Sequence, residues 1–228
     1  MIYLGIFLSV GLVALYIFIE TLGKPLQSIT FKGLASFGFI FLYVISVLSS
    51  KAYLSHPTVV FLFGLGLVAG LMGDIYLALR PLRPVDENHQ IILIGTLCFM
   101  VGHTLYYSAI IINGSFSIWS IVISTIITIT TFMASKLLKL NWGPSKIPSI
   151  IYSFFLFLVA GQAFMNGLSL GFNGFNSAVT IGAILFGISD LILAQIYFGG
   201  KTTNPFIILN LSTYYAAQIL LAFSLYLL

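Results

Sequence analysis

The sequence predicts an all-α fold, a polytopic bundle of eight transmembrane helices that forms one integral membrane domain over residues 1–228. Three observations lead to this fold class. Hydrophobic residues make up 60% of the chain and charged residues only 6%, whereas soluble domains contain about 25% charged residues. The mean hydropathy is +1.12. The apolar residues come in runs of about 20, the length that crosses a bilayer as a helix.

Eight such runs follow one another, separated by short breaks that are polar or rich in glycine and proline. Their predicted bounds are 2–19, 31–48, 58–79, 90–112, 116–134, 147–168, 175–198 and 205–228. Strands of a membrane β-barrel would be about ten residues long and would alternate with polar lumen residues. These runs are twice that length and apolar throughout, so we predict helices.

Basic residues are distributed unevenly between the two sides of the membrane. Eight of the nine follow odd-numbered spans, namely Lys24, Lys32, Arg80, Arg83, Lys136, Lys139, Lys146 and Lys201. Lys51 alone lies on the other side. Because basic loops stay in the cytoplasm, we expect a cell-membrane protein with both termini outside the cytoplasm. The charges form no run or stripe, which argues against a nucleic-acid partner.

The chain shows signs of an internal repeat. Asp74 and Asp190 each begin a D-x-x-L-A motif, and 190 − 74 = 116 residues is close to half the chain length. Each span with this motif is followed by a span with a tyrosine pair, at 106–107 and 214–215. Four spans in each half predict two parallel repeats, residues 1–114 and 115–228, as in transporters whose sites lie between repeats.

Only Asp74 and Asp190, of the five acidic residues, fall inside predicted spans. A carboxylate at the centre of a bilayer costs roughly 2.5 to 3.5 kcal/mol. A rise of about 1.5 Å per residue places the two roughly 9 and 14 Å from the cytoplasmic ends of their helices. Such residues usually mark a site or an ion path, although an aspartate can also serve only to join helices. We therefore predict a site in the cytoplasmic half of the bundle.

Polar residues of other spans are available to converge on the two aspartates. His103 and Tyr106 are three residues apart and share a helix face. Tyr214, Tyr215 and Gln218 lie at a similar depth in the last span. A histidine alone is as readily a core residue that bonds to a neighbouring helix. The other polar residues at a similar depth favour a functional role for His103.

Several motifs in order give the sequence a specific resemblance. They are L-M-G-D-I-Y-L-A-L at 71–79, G-H-T-L-Y at 102–106, F-G-I-S-D-L-I-L-A at 186–194 and T-Y-Y-A-A-Q at 213–218. Together with the spaced Gly95 and Phe99, they make the chain similar to the YhhN family of eight-span membrane proteins. The resemblance runs over essentially the whole chain and is weakest over the fifth span and the loop after it.

This resemblance implies lysoplasmalogenase activity. The substrate is then a lysophospholipid, an alkenyl glycerophosphocholine or glycerophosphoethanolamine, whose vinyl ether is hydrolysed to a fatty aldehyde and a glycerophospho-alcohol. The expected catalytic residues are Asp74, Asp190 and His103. The expected substrate-binding residues are the polar and basic groups around them, namely Lys32, Arg80, Tyr106, Ser189, Tyr214, Tyr215 and Gln218.

The residues suit this chemistry. A vinyl ether is inert to bases, but it hydrolyses once its β-carbon is protonated, because water captures the resulting oxocarbenium ion. Two close carboxyl groups share a proton, so one donates it while the other stabilises the cation and deprotonates water, as in glycoside hydrolysis. Which aspartate takes which role stays open, as does a base role for His103. Lys32, Arg80 and Arg83 could neutralise the lipid phosphate or simply snorkel to the interface.

A proton- or ion-coupled transporter of small molecules or lipids is the main alternative. A transporter would also use acidic residues at a repeat interface, and helices that are broken at mid-span would indicate one. The third and seventh spans contain no proline, but Gly70, Gly73, Gly182 and Gly187 keep this alternative open.

Metal and cofactor chemistry has little support in the sequence. A zinc hydrolase needs about three histidine-type ligands. The chain has three histidines, of which His56 and His89 fall in loops on opposite sides of the membrane. We therefore expect no metal and no cofactor. The expected partners are the lysophospholipid and the surrounding membrane lipids, and the oligomeric state stays open.

Overall fold

The structure is a computed structural model that describes residues 1–84 and 88–228. In this part of the chain it is all-helical, with nine α-helices and no strand. The helices are α1 (Ile2–Thr21), α2 (Pro25–Ser50), α3 (Ala52–Ser55), α4 (Pro57–Ala78), α5 (Asn88–Asn113), α6 (Ile118–Leu137), α7 (Lys146–Leu170), α8 (Gly174–Phe198) and α9 (Asn204–Ser224). Single 3₁₀ turns lie at Arg80–Leu82 and Gly143–Ser145.

Eight of these helices are long and apolar enough to cross a membrane, which confirms the predicted fold class. The exception is α3, one turn of helix between α2 and α4. The chain is therefore a multi-pass membrane protein. The helix bounds agree with the predicted spans to within about three residues, except at the start of the second span and the end of the last.

The second helix begins at Pro25 rather than at residue 31. Proline suits the first turn of a helix, because its φ is preset and it has no N–H to leave unpaired there. Lys32, the second residue of the predicted span 31–48, therefore lies about two turns inside α2. Its side chain is only 12% exposed, and a carboxylate from another helix balances its charge.

Six helices form a closed ring around the centre of the bundle. In order of contact they are α2, α4, α5, α7, α8 and α9, and α9 returns to α2. The other two long helices lie outside this ring. Helix α1 packs on α2 and α9, whereas α6 packs on α7 alone among the described helices. The most hydrophobic stretches of these two outer helices are also less buried than those of the other six.

The packing order of the second half follows that of the first. Helices α1, α2, α4 and α5 pack in succession, and α6, α7, α8 and α9 do the same. Contacts between the halves also correspond, since α5 packs on α7 as α9 packs on α2. The pattern agrees with two parallel repeats, and the duplication itself stays a prediction.

Helices α4 and α8, which carry the two aspartates, run without a break. The glycines of α4 allow close packing. A Cβ at Gly73 would lie 2.6 Å from the ring of Phe99 on α5, and one at Gly66 would lie 2.5 Å from the ring of Tyr106. Small residues at membrane helix interfaces typically have this role. The broken helices that would favour a transporter are thus not found at the aspartates.

Candidate functional site

A large cavity opens at the end of the bundle where the chain passes from α1 to α2, from α6 to α7 and from α8 to α9. We call this the basic end, since the residues near it include Lys24, Arg80, Lys136 and Lys201. The cavity has a volume of about 510 Å³, and Gly23, Trp142 and Thr202 from the loops line it. Asp74 and Asp190 both line the same cavity. The fold therefore brings the two intramembrane acids to one site.

Asp74 is held by three side chains, and only 2% of it is exposed. The hydroxyl groups of Ser36 and Tyr214 donate hydrogen bonds of 2.7 and 2.6 Å to its Oδ2 atom. The Nζ atom of Lys32 lies 3.5 Å from its Oδ1 atom. An opposite charge and donated hydrogen bonds both favour the ionised carboxylate. Asp74 is therefore arranged as a fixed carboxylate with both oxygens engaged.

A second layer of side chains supports this arrangement from α9. The Nε2 atom of Gln218 donates a hydrogen bond of 3.0 Å to the Tyr214 hydroxyl, which in turn donates to Asp74. The hydroxyl of Tyr215 lies 3.1 Å from that of Ser36. Of these α9 residues only Tyr214 lines the cavity. The structure therefore places Tyr215 and Gln218 behind the site, where they orient its residues.

Asp190 has different surroundings. Tyr152 of α7 donates a short hydrogen bond to its Oδ2 atom. No lysine or arginine forms an ion pair with Asp190 in the described part of the chain, and no other side-chain hydrogen bond reaches it there. Asp190 therefore keeps its Oδ1 atom available to a ligand in the cavity.

His103 reaches the site only indirectly. Its Nε2 atom lies 3.3 Å from the hydroxyl oxygen of Tyr152, and its ring packs edge-on against Phe186 at a centroid distance of 4.7 Å. It is 2% exposed and does not line the cavity. The Nδ1 atom is buried without a hydrogen-bond partner. Direct contact of His103 with a substrate is therefore not supported by this placement.

Ser189 and Tyr106, two further predicted substrate-binding residues, lie in different surroundings. Ser189 lines the cavity, and Asn210 donates hydrogen bonds of 3.2 and 2.8 Å to its hydroxyl and carbonyl oxygens. Tyr106 lies away from the cavity and packs against Phe63. Its hydroxyl is buried without a partner. The structure therefore gives Tyr106 a place in the core rather than at the site.

Charged and aromatic side chains surround the mouth of the cavity. The guanidinium group of Arg80 lies 4.2 Å from the centroid of the Tyr197 ring, a cation–π contact. Lys24 and Glu20 also line the cavity, and Ser28 donates a short hydrogen bond to Glu20. The mouth thus offers cations to an anionic group of a ligand.

Apolar side chains from five helices complete the wall. They include Leu77, Ile92, Leu156, Leu193 and Leu211. A wall of this kind with a few convergent polar groups is typical of a small-molecule site, and this one suits a ligand with a charged head and a hydrocarbon chain. Among residues 1–84 and 88–228, no group of three or more His, Cys, Asp or Glu side chains is placed to hold a metal ion.

Sequence reasoning missed Ser36, Tyr152 and Asn210. Tyr152 is one of 12 tyrosines, and it lies in the sixth span, where no motif marked it. The repeat offered one faint signal, because Tyr152 and Ser36 sit on the corresponding helices α7 and α2 and each donates to the aspartate of the following span.

The model of the YhhN family matches residues 27–225, a range that contains both aspartates and every residue described above as bonding to them. No curated protein and no solved structure matches the chain.

Proposed function

Because the chain belongs to the YhhN family, we propose that it is a membrane hydrolase of lysoplasmalogens, the activity that the resemblance implies. The observation that carries this proposal is the pair of aspartates on one cavity, of which one is fully engaged and the other has a free oxygen. An acid that can give up a proton, next to a fixed carboxylate, is what vinyl ether hydrolysis needs.

The contacts of the two aspartates support one assignment of the roles that the sequence left open. Asp190 is the general acid, since its Oδ1 atom is free and no cation holds it ionised in the described part of the chain. Asp74 is the ionised partner, because Lys32 and two hydroxyl donors stabilise its carboxylate. Its negative charge opposes the positive charge that develops on the substrate, as one of the paired carboxylates does in glycoside hydrolysis.

The reaction then proceeds in three balanced steps. Asp190 transfers its proton to the β-carbon of the vinyl ether, and the double bond shifts to give an oxocarbenium ion. Water adds to the α-carbon and returns a proton to Asp190, which yields a hemiacetal. The hemiacetal hydroxyl then loses its proton as the carbon bond to the glycerol oxygen breaks, and that oxygen takes up a proton, so the products are the fatty aldehyde and the glycerophospho-alcohol. Asp190 ends each cycle protonated, as a general acid and base must.

The charged mouth and apolar wall suit the rest of the lipid. The vinyl ether of a lysoplasmalogen lies close to its phosphate, so a phosphate near Arg80 and Lys32 brings the ether towards the aspartates. An ammonium group has three donors, so Lys32 can contact a phosphate while it keeps its pairing with Asp74. The hydrocarbon chain then occupies the apolar part of the cavity.

A lipid-hydrolysis assay on the purified protein tests this proposal. Alkenyl, alkyl and acyl lysolipids with the same headgroup are offered in parallel, and aldehyde and free fatty acid are measured. We expect aldehyde from the alkenyl lipid and no product from the alkyl lipid, which protonation cannot activate in this way. Fatty acid from the acyl lipid without aldehyde from the alkenyl lipid would instead make the protein a lysophospholipase.

A further inference from the structure

Tyr152 stands between two residues that the sequence predicts to be catalytic. Its hydroxyl donates to the Oδ2 atom of Asp190, and its oxygen lies 3.3 Å from the Nε2 atom of His103. We propose that Tyr152 is a positioning residue for Asp190 and that His103 acts on Asp190 only through Tyr152, as a neutral hydrogen-bond donor. This inference rests on the proposed function for its catalytic consequence, but not for its geometry.

The direction of the hydrogen bonds follows from the number of protons available. A tyrosine hydroxyl has one hydrogen, and here that hydrogen points to Asp190. The Tyr152 oxygen must then accept from His103, so the proton of the imidazole sits on Nε2. A neutral imidazole carries one N–H, which leaves Nδ1 bare.

The surroundings of Nδ1 support the same tautomer. This atom is buried and has no hydrogen-bond partner. A proton there would be an unsatisfied buried donor, and its desolvation would be costly. A charged imidazolium would carry that proton as well. His103 is therefore arranged as a neutral donor through Nε2, which is the opposite of a base with a free Nε2 lone pair.

Packing fixes this chain of groups across three helices. The His103 ring on α5 contacts Phe186 of α8 and the Tyr152 ring of α7, with centroid distances of 4.7 and 5.6 Å. Tyr152 in turn holds the Oδ2 atom of Asp190, so the carboxyl group presents Oδ1 to the cavity. The role of the chain is thus to orient the oxygen that transfers the proton.

The two halves of the bundle use different partners for their aspartates, and the difference has a chemical reason. Asp74 is paired with Lys32, and a cation at that distance favours a permanently ionised group. Asp190 is instead linked through Tyr152 to a neutral imidazole. A neutral donor orients the carboxyl group without holding it in one charge state, so Asp190 is free to lose and regain a proton in each cycle.

Four variants test the proposal by turnover of the alkenyl lysolipid. Tyr152→Phe should lower kcat by about tenfold to a hundredfold, the range of one hydrogen bond to a carboxyl group that becomes charged as it gives up its proton. His103→Phe should lower kcat by about twofold to tenfold, the range of one hydrogen bond between neutral groups. Both should change KM little. His103→Gln should recover most of what His103→Phe loses, because its amide nitrogen can donate to Tyr152. The double variant Tyr152→Phe/His103→Phe should be no worse than Tyr152→Phe, since groups acting as a unit are non-additive.

Tyr107→Phe is the matched control. Tyr107 lies on α5, as His103 does, and its hydroxyl is 3.5 Å from that of Ser120. Its side chain does not line the cavity. It should show near-normal turnover. If His103→Gln is as inactive as His103→Phe, His103 is a base or a proton carrier and the proposal is wrong. Near-normal turnover of Tyr152→Phe would also overturn it.

A measurement without substrate separates this proposal from the proposed function. Protein with ¹⁵N-labelled histidine contains three imidazoles, and His103→Gln identifies the signals of His103. Near neutral pH we expect the ¹⁵N shifts of a neutral ring protonated at Nε2, with a change at Nε2 in Tyr152→Phe. A ring protonated at Nδ1 would contradict the proposal even in an active protein. The expected tautomer in a protein that releases no aldehyde would leave the geometry standing and refute only the proposed reaction.

Discussion

The two carboxyl groups of the cavity differ in how many of their oxygen atoms are already engaged. Both oxygens of Asp74 have partners, and one of these is the charged Lys32. Asp190 accepts from Tyr152 alone among the described side chains. Identical residues in corresponding helices therefore have different contacts, because the neighbouring helices supply different partners.

Replacing Asp74 by Asn should destabilise the fold more than the same change at Asp190. At position 74 the change leaves Lys32 inside the bundle without its counter-charge, and breaking a buried ion pair costs about 3 to 5 kcal/mol. At position 190 no ion pair is lost in the described part of the chain. Thermal unfolding in detergent should show Asp74→Asn melting well below wild type and Asp190→Asn close to it.

The double variant Lys32→Met/Asp74→Asn is the control for this explanation. Removing the unpaired charge should restore much of the melting temperature that Asp74→Asn loses, because an apolar side chain costs nothing to bury there. Equal melting temperatures for the two single Asn variants would show that the 3.5 Å contact between Lys32 and Asp74 does not stabilise the fold.

The residues of the site differ in how far they could be predicted from the sequence. The rarity of acids in the spans was enough to select Asp74 and Asp190, because a charge in a bilayer is costly whatever the fold. Tyr152 gave no such signal, since a tyrosine in an apolar span is unremarkable. Spacing placed His103 and Tyr106 on one face of a helix, but which neighbour meets each side chain depends on the tertiary packing. Only His103 came within reach of the site, through Tyr152.

Among the helices, the contact between α4 and α5 depends on glycine. The ring of Phe99 fills the space that a Cβ at Gly73 would need, at 2.6 Å. Gly73→Ala should therefore lower the free energy of unfolding by about 1 to 3 kcal/mol, the usual cost of overpacking. Thermal unfolding in detergent should show this as a lower melting temperature. The matched control is Gly11→Ala on α1, where a Cβ would meet nothing within 4 Å. Equal stability of the two variants would mean that Phe99 can move aside at little cost.

The bounds of the helices could be predicted where hydropathy alone decides them. The start of α2 was one exception, because residues 25–30 include Gln27, Ser28 and Thr30 and are not apolar enough to belong to a predicted span. Lys32 can lie inside the helix since Asp74 of α4 balances its charge. The contact with α4 therefore explains how a lysine can lie about two turns inside α2, which the local sequence does not reveal.

For the whole molecule, the ring of six helices explains why the cavity lies where it does. The ring closes through α2 and α9, and α1 covers that junction from outside. Tyr16 and Glu20 of α1 then reach the cavity wall. The order of packing in the two halves agrees with the predicted repeat. Motif spacing alone could suggest such a repeat but could not predict which helices contact one another.

The orientation of the bundle in the membrane stays a prediction from charge. Eight of nine basic residues follow odd-numbered spans, so we expect the basic end in the cytoplasm and both termini outside it. A reporter enzyme that is active only outside the cytoplasm should work when fused after Leu228, and a fluorescent protein that matures only inside should stay dark. The reverse pattern would place the cavity mouth on the outer side.

The central claim is that Asp190 supplies the proton for vinyl ether hydrolysis. The measurement that tests it most directly is aldehyde release from an alkenyl lysolipid by purified Asp190→Asn protein, beside wild type, with folding checked by thermal unfolding. We predict a folded variant whose turnover is lower by roughly 10² to 10⁴, the usual worth of a positioned general acid. Adding Asp74→Asn should cost little more, because the two groups act as a unit. A folded Asp190→Asn protein that releases aldehyde within a few-fold of wild type would contradict the claim.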